Sequence, residues 1–453
     1  MKVNPRVQKT YEALFLLEDL REILRETSPE HKLNREQEER FKKILSELKK
    51  NLEEIENNEG DAGIRYIADR IELRSKEEEF ININPIQAGG RLTREGRKAL
   101  IAYGDGYSIC DYCFKPFRLD FIKRPPVHDF YQELAEFVGM DQARVVRGAR
   151  RGFQIVASSL LDKGDIALIS SLGHYSLALA IESVGAIWKE VPLNEKNIIT
   201  AENTQKKIES VKEETGKFPS LIAISHIDYM FGNEHDVSGI AKIAHEYEIP
   251  FLYNGAYTVG VMPVNGKKIG ADFVIGSGHK SMASPAPTGV LAVTDEFSKK
   301  VFKTTELSGD VTGREFGIKE VYLLGCTVMG APLIAMMASF PMVKERVKHW
   351  DEELKKSNYF IREFLKIKGN RVVSEMPRKH TLSRVDSTAS FDKIAKKHKR
   401  RGYFLYDELA KRKITGIFPG ATKQFKLNTY GLTWDQIKYL GNAFREIAEE
   451  YGI

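Results

Sequence analysis

Lys280 follows an apolar run, Phe273-Val274-Ile275, that stops at small and polar residues, Gly276-Ser277-Gly278-His279. A short continuous apolar run of this kind reads as a buried parallel strand, and its end opens into a crevice. A lysine placed there is either a solvated strand-end charge or an amine that, once desolvated, loses its proton readily and forms an imine with a carbonyl compound. A second strand, Ile249-Pro250-Phe251-Leu252-Tyr253, ends in Asn254-Gly255-Ala256-Tyr257. In open α/β sheets ligands bind outside the carboxyl ends of the strands, so Asn254 and Lys280 can face one small molecule.

Two further strand ends extend the set. Val145-Val146 runs into Arg147-Gly148-Ala149-Arg150-Arg151-Gly152, a small-residue turn that starts a helix, and helix N-termini bind phosphate through free N–H groups. Asp165 to Ser170 is another apolar strand, followed by a turn to His174 and Tyr175, where an aromatic ring can lie against a flat ligand or His174 can simply cap a helix. An amine that holds a carbonyl, a polar partner for a ring nitrogen, a phosphate cup and a stacking ring together describe the needs of pyridoxal phosphate (PLP). The predicted contacts are Lys280, Ala149, Arg150, Asn254, Ser277, Gly278 and His279, with His174 against the ring.

The chain has three cysteines. Cys110 and Cys113 form a C-x-x-C, and Cys326 sits in the turn Leu324-Gly325-Cys326-Thr327. So few cysteines argue against a secreted disulfide framework. The C-x-x-C is a redox pair, two ordinary thiols or, with Cys326, a three-thiolate site able to hold an iron–sulfur cluster. Cys326 alone also reads as a small buried hydrophobe.

The elements that must position these groups follow from pattern. With 453 residues, 42% hydrophobic and 29% charged, the chain is an ordinary globular sequence long enough for two or three domains. It lacks a long apolar run and an apolar signal core, which predicts a cytoplasmic protein with no membrane segment. Tyr11, Leu14, Phe15, Leu17, Leu20, Ile23 and Leu24 recur at helical spacing up to Ser28-Pro29. Asn34 and Gln37 form a capping box for a second helix whose stripe is Phe41, Leu45, Leu48, Leu52 and Ile55, so residues 1–60 read as a helical hairpin. After a lead-in over 61–85, apolar strands alternate with helical stretches over 86–325, the signature of a mostly parallel sheet covered on both faces. Residues 326–453 read as a smaller α+β domain. That domain carries a basic cluster, Lys393, Lys396, Lys397, His398, Lys399, Arg400 and Arg401, then Lys411, Arg412 and Lys413, with Arg378, Lys379 and His380 as an extension. It is either a solvated face or a surface for RNA phosphates. The net charge of +6 does not decide between them.

Five stretches carry a family likeness: Ile86-Gln87-Ala88-Gly89-Gly90-Arg91-Leu92-Thr93, Gly104 to Cys113, Arg147 to Arg150, Gly276 to Ser281, and Ser308-Gly309-Asp310-Val311-Thr312-Gly313. From about Ile86 to the C-terminus the chain resembles the O-phosphoseryl-tRNA:cysteinyl-tRNA synthases, archaeal PLP enzymes of the aspartate-aminotransferase-like fold (fold type I). The resemblance implies a tRNA(Cys)-borne phosphoserine as substrate, loss of phosphate, addition of sulfur, and a role for Cys110, Cys113 and Cys326 in holding a cluster or carrying that sulfur. Lys280 then serves as the base that takes the α-proton. Arg147, Arg150 and Arg151 are candidates for the leaving phosphate, the cofactor phosphate or the RNA, and Lys397, Arg400 and Arg401 for the RNA. A homodimer is expected, with the loop Ser308–Gly313 reaching across its two-fold axis, and the N-terminal hairpin either packs on the main body or docks phosphoseryl-tRNA synthetase or an accessory protein. Asn254 stands where most of the superfamily has an aspartate, and Lys426 where relatives that handle amino acids place a carboxylate-binding arginine. A cysteine desulfurase is the rival enzyme, and a non-catalytic RNA-binding scaffold the rival outside catalysis.

Overall fold

The chain divides into two units, Met1–Glu77 and Glu78–Ile453, and capping and apolar spacing account for the helices described in the first. The computed structural model describes residues 5–28, 30, 32–56, 80–86, 88–104, 127–315, 317, 319–324 and 330–453. Helices Pro5–Glu26 and Arg35–Glu56 pack on each other through Ala13, Leu20 and Leu48, flanked by Leu16, Phe41, Ile44 and Ile55. The second helix begins at a reciprocal cap. Gln37 N–H donates to Asn34 Oδ1 at 2.9 Å, and Asn34 N–H donates to Gln37 Oε1 at 3.0 Å. Two helices cannot bury every apolar residue of this pair, and Tyr11, Leu14, Phe15, Leu17, Leu24, Leu45 and Leu52 stay exposed within the described residues.

The second unit opens with β1 (Ile81–Asn82) and then forms seven strands: β2 (Gln142–Val146), β3 (Ile166–Ser170), β4 (Ile187–Val191), β5 (Leu221–Ser225), β6 (Phe251–Gly255), β7 (Phe273–Ser277) and β8 (Gly289–Val293). Their order in the sheet is β2-β8-β7-β6-β5-β3-β4. All pairs are parallel except the two made by β8, which runs against both β2 and β7. Five strands, β3, β5, β6, β7 and β8, are buried along their whole length, which is why their sequences are continuous apolar runs. Alternate side chains feed two cores. Val274, Ile222 and Ile224 meet helices Val127–Phe137, Val237–Glu246 and Gly330–Arg346, while Phe273, Ile275, Leu221 and Ala223 meet helices Ala149–Leu160 and Tyr175–Glu182. Helix Gly330–Arg346, which the sequence suggests as the entry to the smaller domain, thus packs Leu333, Met336, Phe340 and Val343 into the core of the large sheet.

The remainder is an α+β layer: β9 (Arg371–Val372), β10 (Leu382–Asp386), β11 (Ile414–Thr415) and β12 (Gln424–Asn428). β10 lies between β12 and β9, antiparallel to both, and β11 pairs with β1. Its core is aromatic, with Phe360, Phe364, Phe391, Phe404, Phe425 and Phe444 buried together. The lead-in segment joins this core through Ile83. Among the described residues no helix is long and apolar enough to cross a membrane.

Candidate active site

The parallel strands end on one edge of the sheet, and the strand-end residues singled out from the sequence meet there. Register places Ser225 beside Asn254, Asn254 beside Ile275, and Gly255 beside Gly276. A cavity of about 360 Å³ opens at this edge, lined by Ala149, Arg150, His174, Asn254, Ser277, His279 and Lys280 together with Gly148, Phe153, Gln154, Tyr175, Ser176, Leu179, Ala180 and Ala256. That volume suits a cofactor-sized ligand. Gly278, between two lining residues, is buried behind the wall.

Lys280 lies in the single helical turn Gly278–Ser281 that follows β7, with its Nζ 4.6 Å from the centre of the Tyr257 ring. Burial, and then the positive charge of Lys426, pull its pKa from 10.5 down to about 8. A neutral amine is therefore accessible near physiological pH, the condition for attack on a carbonyl. The turn is held from outside. Arg346 donates from Nε to the Gly260 carbonyl at 2.9 Å, and from Nη2 to those of Gly89, at 2.8 Å, and Ser281. The Gly89-Gly90 stretch presses on the same turn so closely that a Cβ at Gly90 would fall 1.8 Å from the His279 carbonyl oxygen.

Asn254 is buried at the end of β6. Its Nδ2 donates to Ser225 Oγ at 3.0 Å and its Oδ1 accepts from Ala256 N–H at 3.2 Å, which fixes the amide plane. His174 caps a helix and also borders the cavity. Its Nδ1 accepts from Ser176 N–H at 3.2 Å and so caps helix Tyr175–Glu182, while the ring lines the cavity. Partial burial, then the charges of Lys280 and Arg150, lower its pKa below the ordinary imidazole value, which favours the neutral ring. Gly148, with φ of 81° in a region that disfavours side chains, precedes helix Ala149–Leu160, and no side chain caps that helix. Ala149 and Arg150, the first two residues of that helix, line the cavity, while the Arg151 N–H donates to the Gly148 carbonyl at 3.0 Å; the start of a helix at a cavity is where an anion binds.

The fit to pyridoxal phosphate rests on atoms this structure leaves unused. Ser277 Oγ and His279 Nδ1 are buried and have no hydrogen-bond partner among the described residues, and both belong to cavity-lining residues. Such groups are costly unless a ligand satisfies them. With the uncapped helix start, the fixed amide of Asn254 and the depressed amine of Lys280, they match a phosphorylated pyridine aldehyde.

Other expected residues lie elsewhere. Arg147 and Arg151 do not line the cavity; the Arg151 guanidinium donates to the Tyr322 carbonyl, and its pKa is lowered by burial and by Arg147. Lys397, Arg400 and Arg401 are exposed at the end of helix Phe391–Lys397 and beyond it. Arg400 is paired with Asp407 at 2.7 Å, Lys396 with Asp392, and Lys411 and Arg412 with Glu408. Arg378 and His380 are not surface residues as the charge pattern suggested. Arg378 is 2% exposed and donates to the carbonyls of Gly232, Glu375 and Leu382, and His380 is 1% exposed and bonds the Tyr257 carbonyl at 3.0 Å. Cys110, Cys113 and Cys326 lie outside the described residues. Sequence reasoning missed Arg346, which had no local signal, and Tyr257, which stood in plain view two residues past Gly255.

Comparison with known proteins places this geometry. The model of the family described as aminotransferase class-V matches residues 127–402. O-phospho-L-seryl-tRNA:Cys-tRNA synthase 1 of Methanococcoides burtonii is 63% identical over 98% of this chain and 97% of its own length. Synthase 2 of Methanocella arvoryzae is 59% identical over 99% and 98%. Among solved structures, a crystal structure of a SepCysS–SepCysE N-terminal domain complex superposes with a TM-score of 0.76 at 45% identity, covering 83% of this chain and 97% of that one. An apo cysteine desulfurase from Thermococcus onnurineus shares the fold, with a TM-score of 0.63 at 17% identity, 82% of this chain and 96% of that one. The chain belongs to the PLP-dependent aminotransferase class-V family and, within it, to the O-phospho-L-seryl-tRNA:Cys-tRNA synthases.

Proposed function

We propose that this chain converts O-phosphoseryl-tRNA(Cys) to cysteinyl-tRNA(Cys) by eliminating phosphate from the β-carbon and adding sulfur in its place. The observation that carries the mechanism is the Lys280 amine, desolvated to a pKa of about 8 at the edge where four strand ends converge. Lys280 is the residue that would hold pyridoxal phosphate covalently, Asn254 would face its ring nitrogen, His174 its ring, and Ser277, Ala149 and Arg150 its phosphate. When bound, the cofactor supplies an electron sink that lets the α-proton leave. With its amine free, Lys280 would be the general base that takes that proton. The Cβ–O bond would break with phosphate taking the electron pair, sulfide would add to the β-carbon, and the proton would return to the α-carbon; where a cysteine persulfide delivers the sulfur instead, a second cysteine thiol would have to attack the resulting S–S bond, releasing the product thiol and leaving an enzyme disulfide for an external thiol to reduce. Asn254 is neutral and supports ring protonation less than a carboxylate does, which suits loss of a good leaving group better than transamination. Cys110, Cys113 and Cys326 are assigned to sulfur delivery, either as persulfide carriers or as ligands of an iron–sulfur cluster.

A relative solved with the SepCysE N-terminal domain supports an accessory protein as partner. Exposed Leu14, Phe15 and Leu17 support the N-terminal hairpin as the surface that docks it or phosphoseryl-tRNA synthetase. The tight turn between Ser308 and Glu315, where Val311 is 90% exposed, supports a homodimer closed through this loop. The function is tested by incubating the PLP-loaded protein anaerobically with phosphoseryl-tRNA(Cys) and sulfide. Cysteinyl-tRNA is the expected product. Alanine released from free cysteine, with no cysteinyl-tRNA formed, would make the chain a desulfurase instead.

A further inference from the structure

Two cations stand side by side on the small-domain sheet with too few partners. Arg384 in β10 and Lys426 in β12 are cross-strand neighbours in register, an arrangement in which like charges repel. Both are half-buried. The Arg384 guanidinium lies 5.3 Å from the Phe231 ring, and no acceptor or carboxylate among the described residues engages it. The Lys426 ammonium lies 5.1 Å from the Tyr229 ring and spends one donor on the Tyr229 carbonyl at 2.9 Å. Asp228 attracts the Lys426 ammonium from nearby but makes no hydrogen bond to either cation: its Oδ1 accepts from the N–H groups of Met230 and Phe231, and Oδ2 from that of Asn233.

The position of the pair gives it meaning. The ring of Tyr229 that carries Lys426 is 6.4 Å from the ring of His174, which lines the cavity. Lys426 is also close enough to Lys280 to lower its proton affinity. Two adjacent cations, one a planar fork with unused donors, match a phosphate group in charge and geometry.

We propose that Arg384 and Lys426 form an anion subsite at the mouth of the Lys280 cavity that receives a phosphate of the substrate. This rests on the function proposed above and names a part of its substrate binding. Two groups of that substrate share the chemistry: the phosphate on the seryl β-carbon and the phosphodiester next to the RNA 3′ end. In the first case the pair stabilises the charge that grows on the leaving oxygen as the Cβ–O bond breaks.

The test uses PLP-loaded protein carrying Arg384→Gln, Lys426→Gln, or both. Binding of labelled inorganic phosphate is read by equilibrium dialysis, and kcat/KM is measured on phosphoseryl-tRNA(Cys) and on O-phosphoserine methyl ester. Each single change should weaken phosphate binding roughly tenfold or more, the size of one charge-assisted hydrogen bond. An equal fall in kcat/KM on both substrates assigns the subsite to the seryl phosphate, and a fall on the tRNA substrate alone assigns it to the phosphodiester. Unchanged phosphate binding and unchanged kcat/KM in the double variant overturn the proposal. If the parent protein converts neither substrate, the proposed function fails, and the dialysis result alone still decides whether the two residues bind phosphate.

Discussion

Exchanging Lys280 for methionine in the cofactor-free protein removes a charge that folding must strip of water, and the stability of the variant reads that cost directly. The amine moves from 10.5 in the open chain to about 8 in the fold, chiefly through burial. At about 1.4 kcal/mol per pKa unit this is roughly 3 kcal/mol, which we discount to about 2 kcal/mol because the cavity admits water. The sign follows from proton counting. Below pH 8 the folded and unfolded chains both carry the proton, and the penalty is constant. Between about 8 and 10.5 the unfolded chain holds more protons than the folded one, so stability of the parent rises with pH. Above that window neither state is charged and the penalty is gone. Lys280→Met should therefore exceed the parent by about 2 kcal/mol in urea unfolding at pH 7, with the gap closing between pH 8 and 10.5. A variant less stable than the parent at pH 7, or an advantage that ignores pH, refutes the desolvated-amine reading.

Further outcomes follow from the same geometry. In the presence of cofactor, Lys280→Met should lose both cysteinyl-tRNA formation and the absorbance of lysine-bound pyridoxal phosphate while keeping its circular dichroism. Arg346→Met leaves the carbonyls of Gly89, Gly260 and Ser281 without their donor, which should cost about 3 kcal/mol in unfolding and shift the pH titration of the bound cofactor's absorbance; Arg346→Lys should recover only part of both. Gly148→Ala forces a side chain into a backbone of φ 81°, for about 1–2 kcal/mol, and should weaken cofactor affinity as measured by fluorescence titration. Cys326→Ala should retain cofactor and phosphate release yet lose most cysteinyl-tRNA formation; full activity with the natural sulfur donor would return Cys326 to the role of a packing residue.

The strand ends were legible because burial on both faces forces an unbroken apolar run, and the run stops where the chain turns into the crevice. Phe273 to Ile275 before Lys280 and Phe251 to Tyr253 before Asn254 both show it. The Asn34 and Gln37 cap was legible for a similar reason: its chemistry is local. What escaped depends on contacts distant in sequence. Arg346 sits in a helix where an arginine reads as a solvated face, and only the approach of Gly89, Gly260 and Ser281 makes it a clasp. Arg378 and His380 sit in a basic stretch, so composition put them outside, whereas enough carbonyl oxygens surround Arg378 to bury a guanidinium. The pairing of Arg384 with Lys426 needs the β10–β12 register, which no single stretch encodes.

The stretch from Asp228 to Glu234 leaves the end of β5 and is sewn into the neighbouring α+β layer. Phe231 and Gly232 offer carbonyls to Ser374 and Arg378, Asn233 accepts from the amide of Glu375, and Glu234 donates its own amide to the Glu375 carboxylate. Farther along, His380 grips the carbonyl of Tyr257, two residues beyond the end of β6. A jaw-like swing of the smaller layer over the cavity would have to tear this seam, surrendering one buried and four partly buried hydrogen bonds at about 1 kcal/mol each. The seam therefore ties the two layers together beside the cavity, so that a hinge between them carries the cost of these bonds.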